Sequence, residues 1–253
     1  MVERGEVNVL RVREYRLPLA LVVLAGVGWW WTVVTSNNMA PTMGMGNSML
    51  AMSLVAFTVA WIAMMAAMML PAIIPVVRLY GRAAARGTVA PMPFFIAGYG
   101  IVWSFVGLPV FFLWRQLNQP LAQATPTVGR IAGAVLVGAA LYQLSSLKTA
   151  CLRHCRSPLN LFMRHSKNLH RNSGAMTLGV RHGLYCLGCC WTLMAVLVVF
   201  GTMQLAWMAV IAALIFIEKV LPIGELVAKV AGIGFLILGF WLFITPALVG
   251  RLT

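Results

Sequence analysis

Acidic residues are scarce in this chain. It has five glutamates and no aspartate among 253 residues, against 19 lysines and arginines. Sites for Ca²⁺ or Mg²⁺ and Mg²⁺-dependent phosphoryl transfer need clusters of hard oxygen ligands, so neither is expected here. The same scarcity argues against proton pumping along a series of carboxylates.

Charge of either sign is also scarce. Only 9% of the residues are charged and 61% are hydrophobic, which leaves too little polar surface to cover a water-soluble domain. The lipid bilayer is therefore the expected environment. The first long apolar run lacks the short hydrophobic core and cleavage site of a signal peptide, so we expect it to remain as the first helix.

Long apolar runs predict an all-α, polytopic transmembrane bundle with about seven spans, since each span needs about 20 apolar residues. The link at 201–204 is so short that one neighbouring run could be re-entrant, which leaves six spans as the alternative. We expect one integral membrane domain over 1–253 and find no internal repeat typical of transporters. The runs are 17–35, 49–77, 92–114, 128–147, 183–201, 203–217 and 226–249.

The distribution of basic residues predicts the orientation. The formal net charge is +14, and lysines and arginines concentrate in the connections 78–90 and 148–182, whereas 36–48 has none. The positive-inside rule places both basic connections and the N-terminal segment 1–16 in the cytoplasm, with the domain in the inner membrane. Anionic lipids are the expected partners of these loops, and nucleic acid is not.

Soft metal ligands cluster in one part of the sequence. All five cysteines and all four histidines fall between 151 and 190. On a helix, the i/i+3 and i/i+4 spacings within "ACLRHC" and "RHGLYCLGCC" place side chains on one face. The candidate metal ligands are Cys151, Cys155, His182, Cys186, Cys189 and Cys190.

Three interpretations of these cysteines remain open. A disulfide needs an oxidising compartment, which the predicted cytoplasmic location does not provide. A free cysteine can also pack as a small buried hydrophobe. Thiolates and imidazoles together suit Cu(I), with Zn²⁺ as the alternative ion. The Cys-x-x-Cys pair would also serve thiol–disulfide exchange, although no thioredoxin-like pattern accompanies it.

Methionines and one glutamate complete the candidates. Thioethers favour Cu(I) and need no deprotonation, so a methionine path across the membrane is conceivable, although methionine also fills gaps between helices. Glu218 either pairs at the interface or is a buried charge that faces the bundle. The candidate path residues are Met43, Met45, Met49, Met52, Met64 and Met68.

Several segments carry a resemblance to a known family. "WIAMMAAMMLPAIIP", "YQLSSLKTACLRHCRSPL", "GVRHGLYCLGCCWTLMAVLVVFGTMQLAWM" and "EKVLPIGE" resemble a bacterial family of unknown function, described as predicted metal-binding integral membrane proteins. The resemblance covers about residues 50–246. It implies membrane location and a metal role for the five cysteines.

The sequence predicts a non-enzymatic membrane protein that binds Cu(I) and handles copper, or delivers it to a membrane copper enzyme. The main alternative is an accessory subunit of a larger membrane enzyme, in which the cysteines and methionines only pack. A third hypothesis is a thiol–disulfide oxidoreductase, in which a thiol pair cycles between oxidised and reduced forms.

Overall fold

The described part of the chain is entirely helical, which confirms the all-α class. The computed structural model describes residues 19–34, 54–85, 87–122, 126–156, 169–200 and 205–246. Within these ranges the helices are α1 (Leu19–Val34), α2 (Leu54–Ala85), α3 (Met92–Ala122), α4 (Pro126–Leu144), α5 (Ser146–Arg156), α6 (Asn172–Phe200), α7 (Leu205–Val220) and α8 (Gly224–Ile244).

Five of these helices are long and apolar enough to cross a membrane: α2, α3, α4, α6 and α8. The finding supports membrane association, but the expected count of about seven spans is not confirmed. The other two apolar runs form α1 and α7, and α7 has only 16 residues. The described parts of both helices are shorter than the roughly 20 residues that a hydrocarbon core requires.

Two helix boundaries differ from the apolar runs in a way that positions the cysteines. The run expected at 183–201 belongs to α6, which begins at Asn172. Cys186 therefore lies in the middle of this helix rather than near its N-terminal end. The run expected at 128–147 ends at a bend at Ser145, where the Ser145 hydroxyl accepts a hydrogen bond from the Lys148 N–H at 3.2 Å. A separate polar helix, α5, follows.

Glycines bring α3 and α6 into backbone contact. A Cβ at Gly98 would collide with the carbonyl oxygen of Met176, and one at Gly179 would collide with that of Phe95. Small residues allow membrane helices to approach in this way, because the packing of the two backbones replaces contact with lipid. This contact fixes α6, and with it the cysteines, against α3.

The helices α4 and α8 form a second close pair. A Cβ at Gly133 would lie 2.9 Å from the Gly239 carbonyl oxygen, and one at Gly239 would lie 3.0 Å from that of Gly133. The outward side of α8 carries exposed apolar side chains such as Leu226, Ile237 and Phe240. A bilayer would cover such a surface, since water-soluble proteins rarely expose one.

The short helix α5 packs against the middle of α6 and the end of α7. Its buried residues are Lys148, Leu152 and Cys155. On the exposed side, the Arg153 guanidinium pairs with the Glu225 carboxylate at 2.9 Å, and Arg156 donates to the Leu221 carbonyl oxygen at 2.6 Å. These contacts hold the α7–α8 turn on the same side of the bundle as α5.

Candidate metal centre

Two helices bring the cysteines of both sequence clusters together. Cys155 on α5 is buried, and its thiol is within hydrogen-bonding reach of the Cys186 and Cys189 sulfurs on α6. Cys151, one turn earlier on α5, is half-buried beside Gly188, where a Cβ would lie 3.0 Å from its sulfur. The absence of a side chain at Gly188 thus allows the Cys151 sulfur to reach the backbone of α6.

The three cysteines of α6 are buried within the bundle. The Cys189 and Cys190 thiols both donate to the carbonyl oxygen of Cys186, at 3.1 and 2.9 Å. All five cysteines of the chain are free thiols, so no disulfide joins them. The reduced state fits either packing or metal binding.

The ammonium group of a buried lysine, Lys219, contacts sulfur atoms of the cluster. The Lys219 ammonium, at the end of α7, lies 2.9 Å from the Cys186 sulfur and 3.8 Å from both the Cys190 sulfur and the Met69 sulfur. The Tyr99 hydroxyl on α3 lies 3.1 Å from the Cys186 sulfur. Local spacing in the sequence does not point to Lys219, Met69 or Tyr99 as site residues, because each lies on a helix other than α5 and α6.

His182 lies one turn before Cys186 and is completely buried. Its ring packs between those of Phe95 and Tyr99, with centroids 6.0 Å from each. Neither ring nitrogen has a hydrogen-bond partner among the described residues. A buried polar group without a hydrogen-bond partner is costly, and a ligand bound by one of the two nitrogens would offset part of that cost.

Glu218 faces the bundle next to this cluster. The Lys148 ammonium lies 2.7 Å from its carboxylate, and the side chains of this pair are 1% and 2% exposed. The Gln143 amide donates to the other carboxylate oxygen at 2.8 Å. Glu218 therefore neutralises Lys148 rather than its neighbour Lys219.

The methionines divide into two groups. Met64 and Met68 lie on α2, the first partly buried and the second buried, whereas the methionine whose sulfur lies near the Lys219 ammonium is Met69. The predicted outer residues Met43, Met45, Met49 and Met52 lie outside the described residues, as does the segment 1–16.

The site gathers soft donors without forming a finished metal site. Within residues 19–34, 54–85, 87–122, 126–156, 169–200 and 205–246, no three histidine, cysteine or acidic side chains are arranged to hold a metal ion. The thiols instead contact one another, the Cys186 carbonyl oxygen and the Lys219 ammonium. A metal would bind after side-chain rotation, since thiols lose their protons on coordination and turn toward the ion.

The half-buried Cys151 has a distinct electrostatic environment. Burial raises the pKa of its thiol, and the nearby Cys189 sulfur adds to the rise. The side chain is therefore largely protonated near neutral pH. It is also the most exposed of the five cysteines, since the other four are buried.

Comparison with known proteins gives one match. No curated protein and no solved structure matches the chain. The model of the family PpoB2, described as a copper chaperone, matches residues 58–242. This range includes both cysteine clusters and Lys219, and agrees with the metal-related family that the sequence resembles. The chain therefore belongs to the PpoB2 family of copper chaperones.

Proposed function

We propose that the protein binds Cu(I) as cargo at the sulfur cluster between α5 and α6 and passes it to a copper-requiring membrane enzyme. The observation that supports this most directly is the meeting of Cys155 with Cys186 and Cys189, all reduced and buried, in a member of a copper chaperone family. The proposed ligands are these three cysteines with Cys190, Cys151 and His182.

The donor set favours Cu(I) over other ions. Thiolates, a thioether and a neutral imidazole are soft ligands, and Cu(I) accepts all three. Met69 adds its thioether beside the Cys186 and Cys190 thiols, around the same ammonium. Zn²⁺ is the alternative cargo, and it usually requires four ligands in a tetrahedral arrangement.

The proposed setting is the inner membrane, with the N-terminus and the basic connections in the cytoplasm. The support is the excess of lysine and arginine in 78–90 and 148–182, whose exposed members would also contact anionic lipids, unlike the buried Lys148. The role is delivery, without a catalytic step. Labelling of single introduced cysteines from either side of oriented vesicles tests this topology, and accessibility of 148–182 from the outer side would contradict it.

Copper binding is tested on purified protein in lipid nanodiscs. Wild type and the Cys186→Ser/Cys189→Ser variant are titrated with Cu(I) against a chromogenic chelator. The matched control is Thr192→Ser, which alters a buried residue on the same helix outside the thiol cluster. We expect stoichiometric Cu(I) in wild type and control and at least about a hundredfold weaker binding in the double variant. Equal binding in all three proteins would refute the proposed site.

The two remaining hypotheses give different results in the same preparations. A thiol–disulfide oxidoreductase would show a defined two-electron potential for the Cys186–Cys189 pair, with no metal dependence. An accessory subunit would co-purify with enzyme subunits and would tolerate serine at Cys186 and Cys189. Delivery predicts instead that loss of these cysteines lowers copper occupancy in the recipient enzyme.

A further inference from the structure

A tethered cation already lies among the soft donors of the proposed copper site. The Lys219 ammonium is surrounded by the sulfurs of Cys186, Cys190 and Met69 at 2.9–3.8 Å. These are the same atoms that would bind a soft metal ion. Any metal that enters this cluster therefore shares it with a fixed positive charge.

No carboxylate in the described part of the chain neutralises this lysine. The nearest acidic residue along the chain is Glu218, whose carboxylate is bound by Lys148 and Gln143. Lys219 is 6% exposed, so water screens its charge weakly. The sulfurs are its partners, and its charge acts on whatever they bind.

We propose that Lys219 determines which ion this cluster accepts, by favouring monovalent Cu(I) over divalent Zn²⁺. This rests on the proposed function. Cu(I) held by two thiolates carries one net negative charge, and the ammonium balances it. Zn²⁺ on the same two thiolates is already neutral, so the ammonium leaves one buried, uncompensated positive charge, which is costly. Zn²⁺ reaches neutrality only with a third thiolate, such as that of Cys189, and so must displace one more thiol proton than Cu(I) does.

The two ions share a filled d shell, and comparing each variant with wild type cancels their difference in softness, because the sulfur ligands stay the same when only the lysine is replaced by leucine. Cu(I) and Zn²⁺ have no geometric preference from that shell, and they differ by one unit of charge. Repulsion by a fixed cation is proportional to the charge of the ion. Removal of the lysine charge should therefore improve Zn²⁺ binding relative to Cu(I), whatever the change in overall affinity.

The test measures the ratio of Cu(I) to Zn²⁺ affinity in wild type and four variants in nanodiscs. Lys219→Leu and Lys219→Met remove the charge, and the second keeps the length of the side chain. Lys219→Arg keeps the charge. Met69→Leu removes a neighbouring sulfur without a change of charge. Thermal unfolding of each apo-protein shows which variants are folded.

We expect both neutral variants to lower the ratio at least about tenfold, while Lys219→Arg and Met69→Leu stay within about threefold of wild type. Lys219→Met is the stricter case, since its added thioether favours Cu(I) and opposes the expected shift. An unchanged ratio in folded Lys219→Leu overturns the proposal, as does an equal change in the arginine variant.

The same titration separates this proposal from the proposed function. If wild type binds Cu(I) and the ratio is insensitive to Lys219, only the role of Lys219 is refuted. If wild type binds neither ion, both the copper site and the role of Lys219 are refuted.

Discussion

Lys148 and Glu218 form a buried ion pair, with 2.7 Å between the ammonium nitrogen and a carboxylate oxygen. The pair joins α5 to the end of α7, beside the thiol cluster. Because a buried pair is costly to form but more costly to break, its two members depend on each other. This dependence leads to the first prediction.

Glu218→Leu or Lys148→Met alone should lower the free energy of unfolding by about 3–5 kcal/mol, since each leaves one buried group without its partner. The combined Lys148→Met/Glu218→Leu variant should recover most of this loss, because it removes both charges. Denaturant unfolding of the four proteins in the same detergent measures the coupling. Additive losses in the double variant would show that the pair does not interact as described.

Alanine at Gly98 or Gly179 should separate α3 from α6, because the new Cβ would collide with a backbone carbonyl of the opposite helix. Overpacking of this kind costs about 1–3 kcal/mol or more. The matched control is Gly100→Ala, on the same helix as Gly98, where a Cβ meets nothing within 4 Å. Thermal unfolding should show large losses for the first two variants and no loss for the control.

Cys151 should be the first cysteine to react with a thiol reagent in the folded protein, since it is half-buried and the other four are buried. Because its pKa is raised, the reactive thiolate is a minor species at neutral pH, and the rate should climb steadily as the pH increases above neutral. Mass spectrometry after timed iodoacetamide treatment measures this order. Faster labelling of Cys155 than of Cys151 would contradict the described packing.

His182→Leu should leave the apo-protein as stable as wild type or more stable, because it removes a buried polar ring without hydrogen-bond partners in the described structure. The Cu(I) affinity should fall if the imidazole is a ligand, as proposed. Thermal unfolding and chelator competition measure the two effects on one sample. A large loss of stability would indicate a structural role for the imidazole instead.

The sequence predicted the helical class correctly, but it misplaced some helix boundaries. Hydropathy detects the apolar part of a helix, so it missed residues 172–182 of α6, a stretch with several polar residues. It therefore placed Cys186 at a membrane face rather than in the middle of a helix. The described part of α7, Leu205–Val220, has 16 residues, so the span predicted at 203–217 stays a prediction.

The partners of the cysteines could not be predicted from local spacing. The i/i+3 and i/i+4 pattern identified Cys186, Cys189 and Cys190 as neighbours, because that relation depends only on helix geometry. Lys219 and Met69 reach the same place from α7 and α2, through the packing of several helices. Such contacts depend on tertiary structure, which a single sequence does not specify by periodicity.

The short helix α5 carries one residue of the buried ion pair and two cysteines of the thiol cluster. Lys148, Cys151 and Cys155 lie on the same 11-residue helix, with the ion pair to Glu218 at one end and the thiol contact to α6 at the other. If α5 moved away from α6 and α7, the Lys148–Glu218 ion pair would break and the Cys151 and Cys155 thiols would leave the cluster together. Release of a bound ion by this movement would therefore require the Lys148–Glu218 ion pair to separate.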